Sequence, residues 1–483
     1  HVHPPEGGYE QVYCNLWYDY GVDAIITKLQ ACEKNHVGEW FEAVGLDLGS
    51  FGLRGPDKSI LDGLSQDKYI FVDGSDGHAA LVNDKVLELI GIDENSVQPL
   101  DGVIERREGS LEPSGTLRES SRDLVDKSRP KRKFATSLAA MRGAINLMNS
   151  HGITSAYDVW VGEHEMQVYK TLAETDELTM RIRGAIIDEG VYEKHVGDDF
   201  ERVLRVRGDY ESDNVNYNSI KIMVDGVFEG ETGAILEPYL TTNNNGSLYR
   251  EAEEFNTRVK RYYDMGMLLH FHTMGDRAVR TAMDAIEYAR SNGEETLRDG
   301  RHTISHLGLV DPVDIPRFAE LNIGASVTMA WAYTSEWTHG LEIPVLGIER
   351  TSQLYPIRSI QAADGVILGG SDWNYGDLDP LLSIETAITR DDPWGPVSES
   401  EYEILGAEMV SLETMIDAYT INGAWQIHAE DVSGSIEVGK RADIAIYDHN
   451  LFEIDVYEIS ETKVDLTIFD GRVVYRRLGL QGQ

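Results

Sequence analysis

The sequence predicts an α/β fold: a (β/α)8 TIM barrel with an insertion after its first strand and a small β-sandwich domain. The chain has 483 residues, which suits a barrel of about 250 residues with additional pieces. From about residue 150, short β-branched segments alternate with longer segments of helical periodicity, as they do in βα units. Together with a strand that ends at "HVHP" in residues 1–4, seven such segments give the eight strands that close a barrel.

The seven predicted strands are short, and most of them end in Gly, His or Asp. They cover residues 152–159, 180–186, 219–226, 267–276, 302–308, 323–329 and 366–373. Helices fit between them. In residues 275–292 the apolar positions Ala278, Ala282, Ile286 and Ala289 recur every three or four residues, which is the spacing of one buried helix face.

Two segments depart from this alternation. Residues 10–130 are rich in aromatic residues, glycines and Asp-Gly pairs, which indicates an insertion subdomain. After residue 427, "GSIEVGKRADIAIYD" and "VDLTIFDGRVVYRR" alternate in polarity around tight Gly turns and predict a sheet. We therefore assign residues 1–9 and 131–427 to the barrel and 10–130 to the insertion. Residues 428–483 are assigned to the C-terminal part of a β-sandwich whose N-terminal part is absent from this chain.

Acidic residues dominate the composition, with 43 Lys and Arg against 83 Asp and Glu and a net charge of −40. Such a charge repels nucleic acid and anionic membranes, and it matches proteins that work in concentrated salt, where self-repulsion is screened. No apolar segment is long enough for a membrane span, and no secretory signal is visible. Two cysteines, Cys14 and Cys32, are too few for a disulfide framework and lack zinc-site spacing, so we expect them to play no part. These features predict a halophilic, cytoplasmic protein.

Metal-binding residue types gather at the ends of the predicted strands, where side chains of a parallel barrel face one shared mouth. They are His1 and His3, Lys221 and Asp225, His270 and His272, His302 and His306, and Asp372. Each one alone is better explained as a hydrogen-bonded or capping residue. Because five strand ends collect nitrogen and oxygen donors together, the set predicts a metal site at the mouth.

Ordered segments along almost the whole chain resemble those of the amidohydrolase superfamily, and within it the N-substituted formamide deformylase-like enzymes of amidohydrolase family 3. The segments are "HVHP", "DGHAALVN" (76–83), "GVIERREGSLEPSGTLRE" (102–119), "IKIMVDG" (220–226), "HFHTMGDRAV" (270–279), "RHTISHLGLV" (301–310), "LGGSDWN" (368–374) with the following "DPLLSIETAITR", and "GSIEVGKRADIAIYD" (434–448).

The resemblance implies one or two divalent metal ions. It places His1, His3 and Asp372 on a first ion, and His272 and His306 on a second. Zinc suits imidazole and carboxylate ligands best, and iron, manganese and nickel are compatible with them.

At Lys221 the resemblance implies a carboxylated lysine that bridges the two ions. A neutral amine and carbon dioxide form a carbamate with two oxygens, whereas an unmodified ammonium would repel the metals. A single-metal site is the alternative. His270 and His302 remain structural residues or supports of the ligands.

The resemblance also implies the reaction, which is hydrolysis of a C–N bond in a small amide, formamide or cyclic amide by metal-activated hydroxide. Asp372 would be both a ligand and the group that takes a proton from water and returns it to the leaving group. Deamination or ester hydrolysis on the same metal centre is compatible with these residues. A metal-free scaffold protein is the alternative from another class, although no expected ligand is missing.

Several residues outside the ligand set are candidates for the substrate pocket. His78, on the insertion, is predicted to contact the substrate or its oxyanion, with an ordinary loop histidine as the alternative. Trp373, which follows the last ligand, is predicted to contact the substrate. Trp331, Tyr333 and Trp337 either line the pocket or cover the barrel.

The opening "HVHP" carries one more expectation. The resemblance implies that a strand precedes it, and that an N-terminal stretch completes the sheet of residues 434–476. We therefore expect the chain to be a truncated record of a longer protein, or a separate segment to supply the missing part. A homodimer is an expectation from the family alone.

Overall fold

The computed structural model describes residues 1–17, 19–99, 102–189, 200–294, 299–335, 337–394 and 402–479. Within them the strands form three sheets of six, seven and three strands. The α-helices span Pro4–Tyr9, Val22–Asn35, Ser59–Asp62, Asp84–Ile90, Asp123–Asp126, Phe134–Ser150, Glu163–Glu174, Phe200–Val206, Ala252–Asp264, Asp276–Asn292, Arg317–Glu320, Ile343–Leu346, Ile348–Thr351, Ile357–Ala362, Pro380–Thr389, Tyr402–Leu405, Leu412–Tyr419 and Ile421–Gln426.

The six-stranded sheet comes first along the chain, in the region of the predicted insertion. Its strands are β1 (Cys14–Asn15), β2 (Trp40–Leu46), β3 (Tyr69–Gly74), β4 (Ala79–Val82), β5 (Gly102–Arg106) and β6 (Pro113–Glu119), in the order β1-β2-β3-β4-β6-β5. The pairs β1–β2 and β2–β3 are parallel, and the other neighbours are antiparallel. Apolar clusters of its own pack this sheet, including Leu29, Phe41 and Val72 on one side.

A disulfide joins Cys14 in β1 to Cys32 in the helix Val22–Asn35. The prediction that the two cysteines play no part is therefore wrong. They lie 18 positions apart, but the helix packs beside β1 and brings their Cα atoms to 5.8 Å, a separation that a disulfide can bridge. Because the thiols are paired, the cysteine content gives no support for a reducing compartment.

The seven-stranded sheet confirms every predicted strand after residue 150. Its strands are β7 (Ser155–Val161), β8 (Arg181–Ile187), β9 (Val215–Met223), β10 (Leu268–Thr273), β11 (Thr303–His306), β12 (Gly324–Thr328) and β13 (Val366–Gly370). They run parallel and lie side by side in chain order. All residues of β8 and β10 are buried, as expected for a parallel sheet that is covered on both faces.

The sheet curls, and Val2 makes parallel bridges at both of its ends, with Asp158 in β7 and with Trp373 just beyond β13. The Val2 amide donates to the Tyr157 carbonyl at 3.0 Å, and the Val159 amide donates to the Val2 carbonyl at 3.2 Å. A closed eight-stranded barrel stays a prediction.

The helices follow from local sequence signals. The predicted helix at 275–292 is confirmed as Asp276–Asn292, and its four regularly spaced apolar residues are buried. The helix Pro380–Thr389 begins with Pro at its first position, and the Asp379 carboxylate accepts the Leu381 amide at 2.9 Å. Both features favour a helix start, since proline needs no donor there and the side chain caps a free amide. None of the described helices has the length and apolar composition needed to cross a membrane.

The third sheet confirms part of the strands predicted after residue 427, since residues 434–443 of the segment 434–448 form no strand. It contains β14 (Ile444–Tyr447), β15 (Val464–Phe469) and β16 (Arg472–Arg476), paired antiparallel in that order. One face packs on the rest of the protein, where the Thr467 hydroxyl donates to the Asn149 carbonyl at 2.6 Å and Arg181 lies over the Phe469 ring. Within the described residues this sheet has three strands, and the predicted β-sandwich stays a prediction.

Candidate active site

A cavity of about 530 Å³ opens where the strands of the seven-stranded sheet end and the insertion lies over them. Its volume is in the range that suits a small molecule. The residues that line it include His3, His78, Glu119, Lys221, His272, His306 and Asp372, whose side chains can bind a metal ion or transfer protons. The structure thus brings five of the six predicted ligands to one cavity wall, and His1 lies directly beside them.

Asp372 is the centre of the predicted ligand set. Its Oδ1 atom lies 2.9 Å from His1 Nε2 and 3.1 Å from His3 Nε2, and its Oδ2 atom lies 3.9 Å from His306 Nδ1. Burial alone would raise the pKa of Asp372, but its interactions with His306 and His3 and the charge of Lys221 hold this pKa well below its usual range. The carboxylate is therefore ionised at neutral pH.

One group of candidate ligands among the described residues takes a histidine from two of the three predicted pairs, together with Asp372. His1, His306 and Asp372 each offer a ligand atom within 4.8 Å of the other two, and all three residues are buried. The rings of His272 and His306 lie 4.4 Å apart, so His272 borders the same group. His1 and Asp372, predicted on the first ion, thus lie beside His306, predicted on the second.

The histidines of β10 and β11 are neutral. Burial lowers the pKa of His306 to about 3 although the charge of Asp372 opposes this effect, and burial also lowers the pKa of His272 well below its ordinary value. Neutral imidazole is the form that binds metal ions. One nitrogen of each ring has a polar neighbour: His272 Nε2 lies 3.3 Å from the Gly226 carbonyl, and His306 Nδ1 lies 3.3 Å from the Thr328 hydroxyl.

Lys221, on β9, is 2% exposed, and its Nζ atom lies 3.4 Å from His1 Nε2. Burial lowers its pKa to about 8, although the charge of Asp372 opposes this effect. A sizeable neutral fraction of this amine therefore exists near neutral pH, which carbamate formation requires. Carboxylation of Lys221 itself stays a prediction.

The other three strand-end residues, Asp225, His270 and His302, do not line the cavity. Asp225 accepts the amides of Ala234, Met274 and Gly275 at 2.8–2.9 Å, so it anchors the segment after β10. His302 Nδ1 accepts the Leu269 amide at 3.1 Å, away from the cavity. His270 packs against His1, with ring centroids 4.6 Å apart.

His78, on the insertion, also lines the cavity, with its ring 5.0 Å from that of His272. Its Nδ1 atom lies 3.0 Å from Glu119 Oε2. Glu119 also accepts the hydroxyls of Tyr249 at 2.6 Å and Thr232 at 2.7 Å. Burial alone would lower the pKa of His78, but the charge of Glu119 and the hydrogen bond to it raise this pKa to about 9.

Glu119 was not among the predicted site residues. It is the last residue of the quoted segment 102–119, so a signal was present in the sequence. Tyr249 carried no such signal, because it reaches the site from a segment without a motif, 130 positions from Glu119.

Aromatic side chains form another part of the cavity wall. The rings of Tyr375 and Trp160 lie 5.2 and 6.3 Å from that of His3, and Trp331 stacks on His306 at 5.6 Å with an interplanar angle of 10°. Of Trp331, Tyr333 and Trp337, which the sequence predicts either to line the pocket or to cover the barrel, Trp331 lines the cavity. Tyr333 instead contacts Trp394, and the Trp337 indole donates to Glu229.

Trp373 does not lie where a substrate contact requires it. Its indole is 4% exposed and lies directly against Gly7, so that no side chain would fit at Gly7. It is absent from the described residues that line the cavity. Asp372 has a left-handed backbone conformation with a φ of 56°, so the chain turns between the two residues, and Trp373 packs in the core while Asp372 lines the cavity.

Comparison with known proteins identifies the family. The sequence model of the amidohydrolase family matches residues 1–475. The chain belongs to this family. It is 25% identical over 489 aligned positions to the protein YtcJ of Bacillus subtilis, covering 99% of this chain and 88% of YtcJ. It is 24% identical to the N-substituted formamide deformylase of Arthrobacter pascens, covering 95% of this chain and 83% of that enzyme. The predicted family membership is confirmed.

A solved structure supports the amidohydrolase fold. An uncharacterized metal-dependent hydrolase from Pyrococcus horikoshii superposes with a TM-score of 0.70 at 20% identity, covering 94% of this chain and 86% of that one. Members of the amidohydrolase family are hydrolases that act on C–N bonds.

The described residues fit a divalent cation in this family member. The neutral imidazole of His306 and the ionised carboxylate of Asp372 are in the protonation states that metal binding needs. Imidazole and carboxylate together suit zinc and neighbouring transition metals.

Proposed function

We propose that this chain is a metal-dependent amidohydrolase that hydrolyses the C–N bond of a small amide, formamide or cyclic amide. We also propose that residues 1–9 and 131–427 form a (β/α)8 catalytic barrel, with residues 10–130 as an insertion over its mouth. One observation carries the functional proposal: the ligand atoms of His1, His306 and Asp372 lie within 4.8 Å of one another, buried beside the cavity of an amidohydrolase-family chain.

In this proposal His1, His3 and Asp372 would hold one ion, His272 and His306 would hold a second, and Lys221 would contribute to the site as a carbamate. Lys221 lies suitably for this role, since its amine is 3.4 Å from His1 and its pKa is lowered to about 8 by burial. When bound, divalent ions supply the acidification of water and the polarisation of the amide carbonyl.

The protein's own groups would move the proton. Asp372 is ionised and accepts a proton from the attacking water at an oxygen that faces the imidazoles. The same carboxyl then returns the proton to the leaving nitrogen, which restores the ionised state. Its low pKa makes it a weak base in the resting enzyme and a strong acid once it is protonated, which favours the return step.

His78 would bind the substrate from the insertion, beside His272. Glu119 fixes the ring through Nδ1, which leaves Nε2 free to approach a substrate oxygen. Aromatic rings from Trp160, Trp331 and Tyr375 offer an apolar surface for the substituent of the amide.

Metal analysis and activity screening test this function together. Protein purified without chelators should contain at least one transition-metal ion per chain, and in concentrated salt it should hydrolyse members of an N-formyl, N-acyl and cyclic amide library.

Asp372→Asn should lower kcat by about 10²–10⁴. Asp391→Asn is the matched control, because Asp391 is as buried as Asp372 but bonds to Tyr457 far from the ligands. Metal-free wild-type protein, or full activity of Asp372→Asn, would contradict the proposal.

A further inference from the structure

We propose that His270 is a positioning residue for His1: it accepts the Nδ1 proton of His1 and so directs the Nε2 lone pair of His1 toward the metal site. The inference rests on the proposed metal centre, since it concerns how one of that centre's ligands is held. It assigns a role to a histidine that touches neither the cavity nor Asp372.

His270 lies on the inner face of β10, two residues before His272, so both side chains project to the same side of the sheet. Its register partner on β9 is Lys221. The ring is 0% exposed and stands almost perpendicular to that of His1, at an interplanar angle of 80°. His270 therefore lies level with Lys221 in the sheet and packs against His1.

The contact between the two rings joins a specific pair of atoms. His270 Nε2 lies 3.4 Å from His1 Nδ1. On the other side of the His1 ring, Nε2 lies 2.9 Å from Asp372 Oδ1 and 3.4 Å from Lys221 Nζ. Each nitrogen of His1 thus has its own surroundings, and Nε2 is the one that faces the candidate ligands.

A neutral histidine carries one ring proton, and a nitrogen that binds a metal ion carries none. If His1 Nε2 is the ligand atom, the proton must be on Nδ1, where it needs an acceptor. Metal-binding histidines almost always donate this second N–H to a partner that fixes the tautomer and the ring orientation. His270 Nε2 is the atom positioned to accept it.

Among the described residues, the contact with His1 Nδ1 is the main polar interaction of His270. Its Nδ1 atom is buried and has no hydrogen-bond partner among the described residues. The Tyr157 ring packs edge-on against it at 5.0 Å, while the Tyr157 hydroxyl is engaged with Ser219. Keeping a buried nitrogen unpaired costs free energy, so packing alone does not account for a histidine here.

His302, which directly precedes β11, provides a matched control. It is also 0% exposed and also has one buried nitrogen without a partner in the described part of the chain. Its Nδ1 atom accepts the Leu269 amide and its ring lies 5.8 Å from that of Tyr263, so it faces the helices and not the ligands. Replacing His302 should therefore affect stability but not metal binding.

The experiment measures binding of Co²⁺ to metal-free full-length protein by competition with a chelator, together with the visible absorption of bound Co²⁺. His270→Phe should weaken Co²⁺ binding by about 10–100-fold and change the spectrum, because a ligand loses its support. His270→Gln should recover most of the affinity, since its amide reaches the Nε2 position. His270→Asn should not, since its amide ends near Nδ1. His302→Phe should bind as the wild type does.

Two results would overturn the inference. One is wild-type affinity and spectrum in His270→Phe, and the other is equal binding by the Gln and Asn variants, a comparison that stands even if the Phe variant fails to fold. A wild-type protein that binds no Co²⁺ overturns the proposed metal centre itself, so the two failures are distinguishable.

Discussion

The pair formed by His78 and Glu119 predicts a specific dependence of stability on pH. The test uses the double variant His78→Gln/Glu119→Gln, because removing one partner alone would leave the other charge buried and unpaired. The side chains of His78 and Glu119 are 13% and 5% exposed, so solvent screens their interaction only weakly. The double variant keeps two hydrogen-bonding amides but has no titrating group at this position.

The magnitude follows from the pKa of His78. Glu119 raises it from 6.5 to about 9 against the opposing effect of burial. At 1.36 kcal/mol per pKa unit, this difference corresponds to about 3 kcal/mol. A histidine whose pKa is raised by folding stabilises the protein fully below pH 6.5, and the stabilisation is lost as the pH rises through 9. The ionisation of Glu119 does not contribute in this window, because folding lowers its pKa below the ordinary 4.5.

Urea denaturation of chelator-treated protein, at pH 6 and pH 9.5 in constant salt, measures the effect. The stability difference between wild type and double variant should shrink by about 3 kcal/mol from the lower to the higher pH. His449→Gln is the control, since His449 makes the same type of contact with Asp448 but is 60% exposed, and such a pair contributes at most about 1 kcal/mol. A difference that stays constant between the two pH values would show that His78 is not charged in the folded protein.

Three further predictions concern other parts of the molecule. Replacing Cys14 and Cys32 with Ala should lower the free energy of unfolding by about 3 kcal/mol, since the disulfide closes a loop of 18 positions; an unchanged denaturation midpoint would contradict this. Lys221→Arg should reduce bound metal in elemental analysis, because a guanidinium stays charged, whereas Lys58→Arg, at a buried lysine that pairs with Asp84, should not. Raising NaCl from about 0.1 to 1 M should raise Tm, because screening weakens the self-repulsion of a chain of charge −40; a Tm that falls would refute a halophilic adaptation.

The central sheet was predictable because its signals are local. The β-branched segments that alternate with helical segments became β7 to β13 in chain order, with errors of a few residues at the ends. The strand predicted at 267–276 spans Leu268–Thr273, for example, because the residues after Thr273 leave the sheet and lead into the next helix. The pairing of Cys14 with Cys32 was not predictable, because it depends on how the helix of the insertion packs beside β1.

The sequence predicts which residues of the candidate site stand at strand ends, but it does not predict which side chains contact one another there. His272 and Asp372 follow from the parallel sheet, which places such residues at one mouth. The partners of His78 come instead from segments whose meeting depends on loop conformation, such as those of Glu119 and Tyr249. Trp373 follows Asp372 in the sequence but packs against Gly7, because the positive φ of Asp372 turns the chain between them.

The bridges of Val2 would couple the stability of the curled sheet to occupancy of the proposed metal site. Val2 connects the two edge strands, and the candidate ligands His1 and His3 flank it on the chain. When His1 and His3 bind an ion, the free energy of binding would also stabilise the contacts of Val2 with the two edge strands. Ion binding and the pairing of these edges are therefore thermodynamically linked. The amides of Val159 and Asp372, which donate to the carbonyls of Val2 and His1, should exchange their hydrogens more slowly when the site is loaded.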